Sequence, residues 1–267
     1  MKNTWKVALA VAVIAGSASA ARADLTLDGQ TGLFINPTAE VAKKGEGEVA
    51  VNYQHTNVDV LDGHINTYGI GGAAGVADKL ELSGNYNKIK INSYYGDTSV
   101  NDWRLGGKYQ LFNQSEKGFD LAIGANYEKL DADTGDDNHY TVYLAGTKDF
   151  NTNSNRAPIQ GTLGLRWDRL TYPSSIADNS SKVSVYVGAS VPLTRTGDFS
   201  LVGEVGTKTV EDSSVSHANT PYAIGLRYHP KASGLSAGIG FGRPGIITQQ
   251  NGIGTSWFAQ IGYAFGK

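Results

Sequence analysis

Charged side chains are the residues of this 267-residue sequence that could do chemistry, and many of them occupy alternate positions of short segments. In 158–170, for example, Arg166 and Asp168 share one face while leucines occupy the other. If that face lines an enclosed interior, its charges could set ion selectivity. They could equally pair into salt bridges that make a narrow interior rigid, and both interpretations stay open. The candidates on this parity are Glu81, Arg104, Lys108, Asp120, Glu128, Arg166, Asp168, Glu204, Lys208 and Arg227, with His229 beside them.

Catalytic chemistry lacks a supporting pattern. His139 and His217 fall in predicted outer loops, and neither belongs to a pattern that fixes a nucleophile beside a base. We therefore predict no catalytic residue and no enzyme.

Metal and nucleotide patterns are also missing. The five histidines show no metal-ligand spacing. The acidic run 131–138 lacks the closing glutamate of a calcium loop, and the glycine-rich run 69–75 lacks the lysine of a phosphate loop. The absence of cysteine excludes disulfides and thiolate sites. We predict no cofactor and no bound metal.

The elements that must position these charges alternate at period two, as half-buried strands do. In 118–130, Phe119, Leu121 and Ile123 oppose Asp120 and Ala122. Clusters of Gly, Asn, Asp, Ser and Pro separate the segments. The twelve predicted strands are 47–56, 64–75, 79–91, 98–111, 118–130, 139–150, 158–170, 181–193, 198–210, 220–230, 234–243 and 254–265.

The polar faces of these segments mix small residues with single charges, as a confined and hydrated interior requires. The segment lengths suit tilted strands that cross a bilayer. Connectors after the odd segments tend to be longer than those after the even segments, and aromatic residues gather at segment ends, like the interfacial belts of outer-membrane barrels. With 34 glycines and 14 tyrosines, the sequence predicts an all-β fold: one antiparallel transmembrane barrel of about twelve strands.

The beginning of the chain has a different character. Residues 1–23 combine a basic start, an apolar run and small residues, which is typical of a cleaved secretory signal peptide. We expect a periplasmic segment or partial plug over 24–46, followed by the barrel over 47–267. Net charge is near zero, so we expect no nucleic-acid partner.

Three stretches resemble known outer-membrane proteins. The hairpin GVADKLELSGNY is similar to one that is common in Gram-negative outer-membrane barrels. Near the C-terminus, Gln260, Gly262 and Phe265 resemble the signal read by the outer-membrane insertion machinery, although the chain continues for two residues beyond the aromatic. The stretch GQTGLFINPTAEVAKKGEGEVAVNY resembles the N-terminal motif of a barrel family associated with exopolysaccharide and capsule production.

That last stretch contains an apolar group, which needs cover from water. We expect it either to fold into the barrel mouth as a partial plug or to pack across the periplasmic rim. Deleting 33–44 should raise conductance only in the plug case. The residues concerned are Leu33, Phe34, Ile35 and Pro37.

Two functions follow from the sequence. The first is a narrow, porin-like passive channel for small hydrophilic solutes or saccharides in a bacterial outer membrane. The alternative is a closed structural or accessory barrel that supports envelope integrity or exopolysaccharide export. We expect contacts with outer-membrane lipid and lipopolysaccharide, with the insertion machinery during assembly, and with small saccharides.

Overall fold

Twelve antiparallel strands form the body of the protein in the computed structural model. The structure describes residues 24–58, 62–94, 96–132, 135–150, 155–171, 179–209, 218–230, 233–244, 249 and 253–266. The predicted signal peptide and His217 lie outside these residues. The strands are β1 Gly47–Val58, β2 Gly63–Ala77, β3 Leu80–Ser93, β4 Gly96–Phe112, β5 Asp120–Ala132, β6 Gly135–Phe150, β7 Ile159–Thr171, β8 Ser180–Pro192, β9 Phe199–Gly206, β10 Tyr222–Tyr228, β11 Leu235–Gly242 and β12 Ile253–Phe265.

The sheet closes on itself, because each strand pairs with its neighbours in sequence and β12 pairs with β1. Gly47 lies opposite Phe265 at the closure, and the pairing continues to Thr56 opposite Ser256. Closure leaves no unpaired sheet edge, which is the condition for a sheet to cross a membrane. The predicted all-β, twelve-stranded barrel is therefore confirmed.

Each predicted strand corresponds to an observed one, and the largest differences in the strand ends are at β6 and β9. β6 begins at Gly135 rather than at 139, and β9 ends at Gly206 rather than at 210. The connections after β3 and β5 span only 94–95 and 133–134, so the expectation of longer odd-numbered loops fails there. In the acidic run 131–138, residues 131–132 belong to β5 and residues 135–138 to β6, and the glycine-rich run 69–75 lies within β2.

The two ends of the barrel differ. The connections after the even-numbered strands lie at the end where β1 begins and β12 finishes, which we call the turn end; the opposite end is the loop end. One turn-end connection contains α1, Gln114–Lys117, which Asn113 and Glu116 cap reciprocally. Among the described residues, no helix has the length and apolar character needed to cross a membrane.

The outer and inner faces of the wall have opposite chemistry. On β7, Leu163 and Leu165 face outwards and are 60% and 50% exposed, whereas Thr162 faces inwards and is 3% exposed. Aromatic rings mark the outer face near the loop end, where Tyr53 contacts Tyr68 and Trp257 at 5.2 and 5.0 Å between ring centroids. An apolar outer face with aromatic belts suits lipid on the outside and a polar interior.

Candidate functional site

Buried charge in the strands is concentrated on the inner face. Nine of the ten sequence candidates occupy inner-face strand positions, and they line the interior at successive levels. The exception is Lys208, which lies beyond the end of β9 at Gly206, so strand parity does not apply to it. His229 directly follows β10. The nine are Glu81, Arg104, Lys108, Asp120, Glu128, Arg166, Asp168, Glu204 and Arg227.

Six of the charged groups form one network towards the loop end, which we call the charge cluster. Arg104 binds Glu128 at 2.7 Å, and Arg166 Nε donates to both oxygens of Asp168 at 2.8 Å. His139 links the two halves, with Nδ1 2.6 Å from Glu128 and Nε2 2.8 Å from Asp168. The members of the charge cluster are Asp28, Arg104, Glu128, His139, Arg166 and Asp168.

The position of His139 corrects the sequence-based expectation of a loop histidine. It lies on the inner face of β6 and is 5% exposed. Both ring nitrogens contact carboxylates, which favours the doubly protonated ring. The nearby Thr141 hydroxyl donates to Asp168 at 3.0 Å. The arrangement is a salt-bridge network that occupies the histidine on both sides.

Residues 24–44, which we call the N-terminal segment, lie inside the barrel. The segment enters at the turn end and reverses near Gly29, whose φ of 82° suits glycine. It then forms a small hairpin over 31–38, with a bridge between Gly32 and Pro37. It leaves at the turn end, where Lys44 pairs with Gly75 of β2.

The tip of this hairpin, residues 33–36, is bound by one carboxylate. The N–H groups of Phe34 and Ile35 donate to Glu204 Oε1 at 2.8 and 2.7 Å. Asn36 donates to Oε2 from its backbone at 3.0 Å and from its side-chain amide at 2.9 Å. Hydrogen bonds to an ionised acceptor are stronger than neutral ones, so Glu204 fixes the tip against β9.

The base of the hairpin is bound by an ion pair. Glu81 and Lys108 lie 3.3 Å apart and are each 1% exposed. Thr31 donates to Glu81 from its backbone at 3.1 Å and from its hydroxyl at 2.6 Å, and Ala42 N–H donates at 2.8 Å. Lys108 in turn donates to the carbonyls of Thr31 and Thr38 at 2.9 and 3.4 Å.

Arg227, on β10, binds three parts of the N-terminal segment from the wall opposite Glu81 and Lys108. Its guanidinium donates to the carbonyls of Leu25, Gly32 and Leu33 at 3.1–3.2 Å. It also lies 4.8 Å from the centroid of the Phe34 ring, a cation–π contact. This inner-face arginine therefore holds protein backbone in the observed arrangement.

His229 binds the start of the segment at the turn end. Its Nδ1 lies 2.6 Å from Asp24 Oδ1. Burial alone would lower the pKa of His229, but the hydrogen bond and the charge of Asp24 outweigh it, so the pKa is raised above 6.5. The contact is therefore strongest when the imidazole is charged.

Glycines in the wall provide the space for the apolar tip. The Leu33 side chain fills the position that a Cβ on Gly188 would occupy. Phe34 lies against Gly225 and Gly238, 2.9 and 3.0 Å from where their Cβ atoms would be. It also contacts Phe258 in a tilted arrangement, with ring centroids 4.9 Å apart. Leu33, Phe34, Ile35 and Pro37 all lie inside the barrel and all are buried.

Several inner-face residues that bind the segment were not identified from the sequence. Asn52 and Asn85 donate to the carbonyl of Leu27 at 3.0 and 3.3 Å. The Tyr186 hydroxyl donates to the carbonyl of Pro37 at 2.9 Å. These asparagine and tyrosine side chains are uncharged, so only their alternate positions on the inner face of the strands could have identified them in the sequence.

The residues of the predicted assembly signal lie on β12 and contact the N-terminal segment and the start of β1. Gln260 donates to the carbonyl of Thr26 at 3.2 Å. Gly262 leaves space for Glu48, and the Phe265 ring lies 2.7 Å from where a Cβ on Gly47 would be. These contacts belong to the folded barrel, and the role of the three residues in assembly stays a prediction.

Two small cavities, each lined largely by polar residues, lie on opposite sides of the hairpin. The loop-side cavity is lined by Asn36, Arg104, Arg166, Ser184, Tyr186 and Gln249, among others. The turn-side cavity is lined by Asp24, Glu40, Asp149, Ser190, Arg227 and His229, among others. Across the described ranges, no group of three or more His, Cys, Asp or Glu side chains is arranged to hold a metal ion.

Comparison with known proteins gives likeness at the level of the fold. No family model matches the sequence, and no curated protein matches it. An outer-membrane channel from Pseudomonas putida F1 superposes with a TM-score of 0.63 at 13% identity, covering 86% of this chain and 100% of that one. The NanC porin gives 0.54 at 16% identity, covering 82% and 99%, and the KdgM porin gives 0.51 at 16%, covering 81% and 99%. The chain thus has the fold of solved outer-membrane porins and channels.

Proposed function

We propose that this protein is an outer-membrane channel that passes small hydrophilic solutes or saccharides passively, with the N-terminal segment acting as an internal plug. The observation that carries the proposal is the hairpin that crosses a lumen lined by charged residues and leaves a small cavity on each side, each lined largely by polar residues. A purely structural barrel would not need polar space above and below a blockage. The lumen-facing charges then serve mainly to hold the plug and to keep the wall hydrated.

The apolar outer face and the aromatic belt support a place in the bacterial outer membrane, in contact with lipid and lipopolysaccharide. A cleaved signal peptide over 1–23 and assembly by the insertion machinery complete this proposal. The non-enzymatic role is supported by His139, which two carboxylates occupy. We propose no nucleic-acid partner and no cofactor.

Saccharides are the preferred solute class within this proposal. The resemblance of the N-terminal motif to exopolysaccharide-associated barrels favours them, and the structural neighbours include proteins described as porins. The residues of that motif, Gly32, Leu33 and Pro37, are the ones that build the plug hairpin here.

The alternative function is a closed barrel that supports envelope integrity or exopolysaccharide export. The burial of the hairpin favours it, since Leu33 and Phe34 are 1% and 0% exposed. A lumen filled by such residues would stiffen the wall without conducting.

Conductance in planar bilayers separates the two. We expect the purified barrel to give small, infrequent current steps, and a variant that lacks residues 25–43 to give larger and sustained ones. Heat-modifiable gel mobility, which reports a folded barrel, is the control for both proteins. If both are folded and neither conducts, the channel is excluded and the closed barrel is supported.

A further inference from the structure

Strand β8 lines both cavities, and its inner face leads from one cavity to the other. On the inner face of β8, Ser184 and Tyr186 line the loop-side cavity, and Ser190 lines the turn-side cavity. Gly188 lies between them and is covered by Leu33 of the hairpin tip. The inner face of β8 therefore passes from one cavity to the other, interrupted at one level.

The interruption consists of a tyrosine and the hairpin tip. Tyr186 is 2% exposed, and its ring occupies the space over Gly164 on the adjacent strand. Its hydroxyl donates to Pro37, so the ring and the hairpin close the gap together. Neither cavity, in this arrangement, has room for a sugar ring, and passage requires Tyr186 and the tip to separate.

The charged groups of the loop-side approach are paired with one another. Its two arginines are each engaged by carboxylates, Arg104 by Asp28 and Glu128 and Arg166 by Asp168. His139 in turn lies between Glu128 and Asp168. The remaining lining includes hydroxyl and amide groups, such as Ser184, Thr209 and Gln249. Paired charges do not attract an ion strongly, whereas hydroxyls and amides exchange hydrogen bonds with a neutral, hydroxylated solute.

We propose that uncharged, hydroxyl-rich solutes cross the barrel along the inner face of β8, and that Tyr186 and Leu33 form the barrier on this path. The inference rests on the proposed channel function and adds the wall, the barrier and the solute class. The opposite wall anchors the segment, through Asn85 and Glu81 of β3 and through the bridge between Lys44 and Gly75 of β2.

The barrier is tested by uptake of glucose into proteoliposomes. Tyr186→Phe keeps the ring and removes the bond to Pro37, so we expect glucose uptake to rise several-fold. Ser184→Leu and Ser190→Leu add bulk on either side of the barrier and should reduce uptake several-fold in the Tyr186→Phe background. Thr67→Leu, which also adds apolar bulk but on the inner face of β2, is the control and should leave uptake unchanged.

Glucuronate, a charged analogue of the same size, tests the solute class and should enter several-fold more slowly than glucose. Equal entry of the two sugars would overturn the solute class. Two results would overturn the path and leave the channel function intact. One is rapid glucose uptake that Ser184→Leu and Ser190→Leu do not change. The other is an equal reduction of uptake by Thr67→Leu. Uptake no faster than in empty liposomes, for folded wild type and for Tyr186→Phe, would overturn the channel function together with this inference.

Discussion

The tip and the base of the hairpin are both bound by buried carboxylates, but the two carboxylates have different surroundings. Glu81 faces Lys108 directly across the β3–β4 pair, so the wall itself neutralises its charge. Glu204 accepts hydrogen bonds from Phe34, Ile35 and Asn36. Within the described chain, no lysine or arginine lies at ion-pair distance from Glu204.

We call the Glu81–Lys108 pair the anchor of the segment and Glu204 its latch. The Glu81–Lys108 pair is complete whether or not the segment is present, so it forms a permanent part of the wall. The charge of Glu204 is satisfied by the tip alone in this arrangement, so tip position and Glu204 depend on each other. We expect changes at the base to alter the stability of the barrel, and changes at the tip to alter opening.

The largest effect is expected at the base. Glu81→Gln leaves Lys108 buried without its counter-ion, which costs about 3–5 kcal/mol. The free energy of unfolding, measured by urea titration of the protein in micelles, should fall by that amount. Adding Lys108→Met removes the unpaired charge and should restore most of the loss. An unfolding free energy equally low in the single and double variants would remove the distinction between anchor and latch.

A smaller effect, and a different one, is expected at the tip. Glu204→Gln keeps one acceptor oxygen for Phe34 and Ile35 but presents an amide nitrogen to Asn36. We expect the tip to be weakened by about 2 kcal/mol, which raises the open-to-closed ratio by roughly 30-fold. The open fraction in single-channel recordings measures it, and the unfolding midpoint should change little.

Glu48→Gln is the matched control for the tip. Glu48 is also a buried inner-face carboxylate, and its oxygen accepts from Ser236 rather than from the tip. The open fraction of this variant should stay at the wild-type value. An equal increase in both variants would mean that any buried lumen carboxylate affects opening, and Glu204 would lose its special role.

The smallest effect is expected from pH at the start of the segment. The raised pKa of His229 means that its contact with Asp24 contributes fully below pH 6.5 and weakens as pH rises through the higher pKa of the folded protein. Protease cleavage near residue 24 should therefore increase as pH rises from 6 to 9. His229→Gln should abolish this dependence, and a persistent pH dependence would assign it to another group.

The strands could be predicted because their alternation is a local property of the sequence. Both faces of β5 and β7, for instance, are visible in single segments. The start of β6 was missed since Gly135 and the aspartates that follow it are turn-forming residues. Lys129 of β5 binds Asp131 of the same strand at 2.8 Å and Asp136 of β6 at 2.7 Å. The second bond stabilises the pairing of the two strands, and neither bond can be inferred from residue type.

The inner-face charges could be identified by parity, but their partners could not. Arg227 was a lumen candidate, yet its carbonyl partners belong to a segment almost 200 residues away in the sequence. The apolar tip indicated a need for cover, and the glycines Gly188, Gly225 and Gly238 indicated small inner-face positions. The apolar tip fills the space next to these glycines only because of the level at which the hairpin crosses the barrel. No local sequence pattern encodes that level.

The central claim is that the hairpin tip controls passage through the lumen, and a reversible cross-link tests it most directly. The chain contains no cysteine, and the Leu33 side chain occupies the space next to Gly188. In the double variant Leu33→Cys, Gly188→Cys, we expect oxidation to abolish single-channel current and reduction to restore it. Leu33→Cys alone should not respond. A cross-link that forms completely, by mass spectrometry, and leaves the current unchanged would contradict the account.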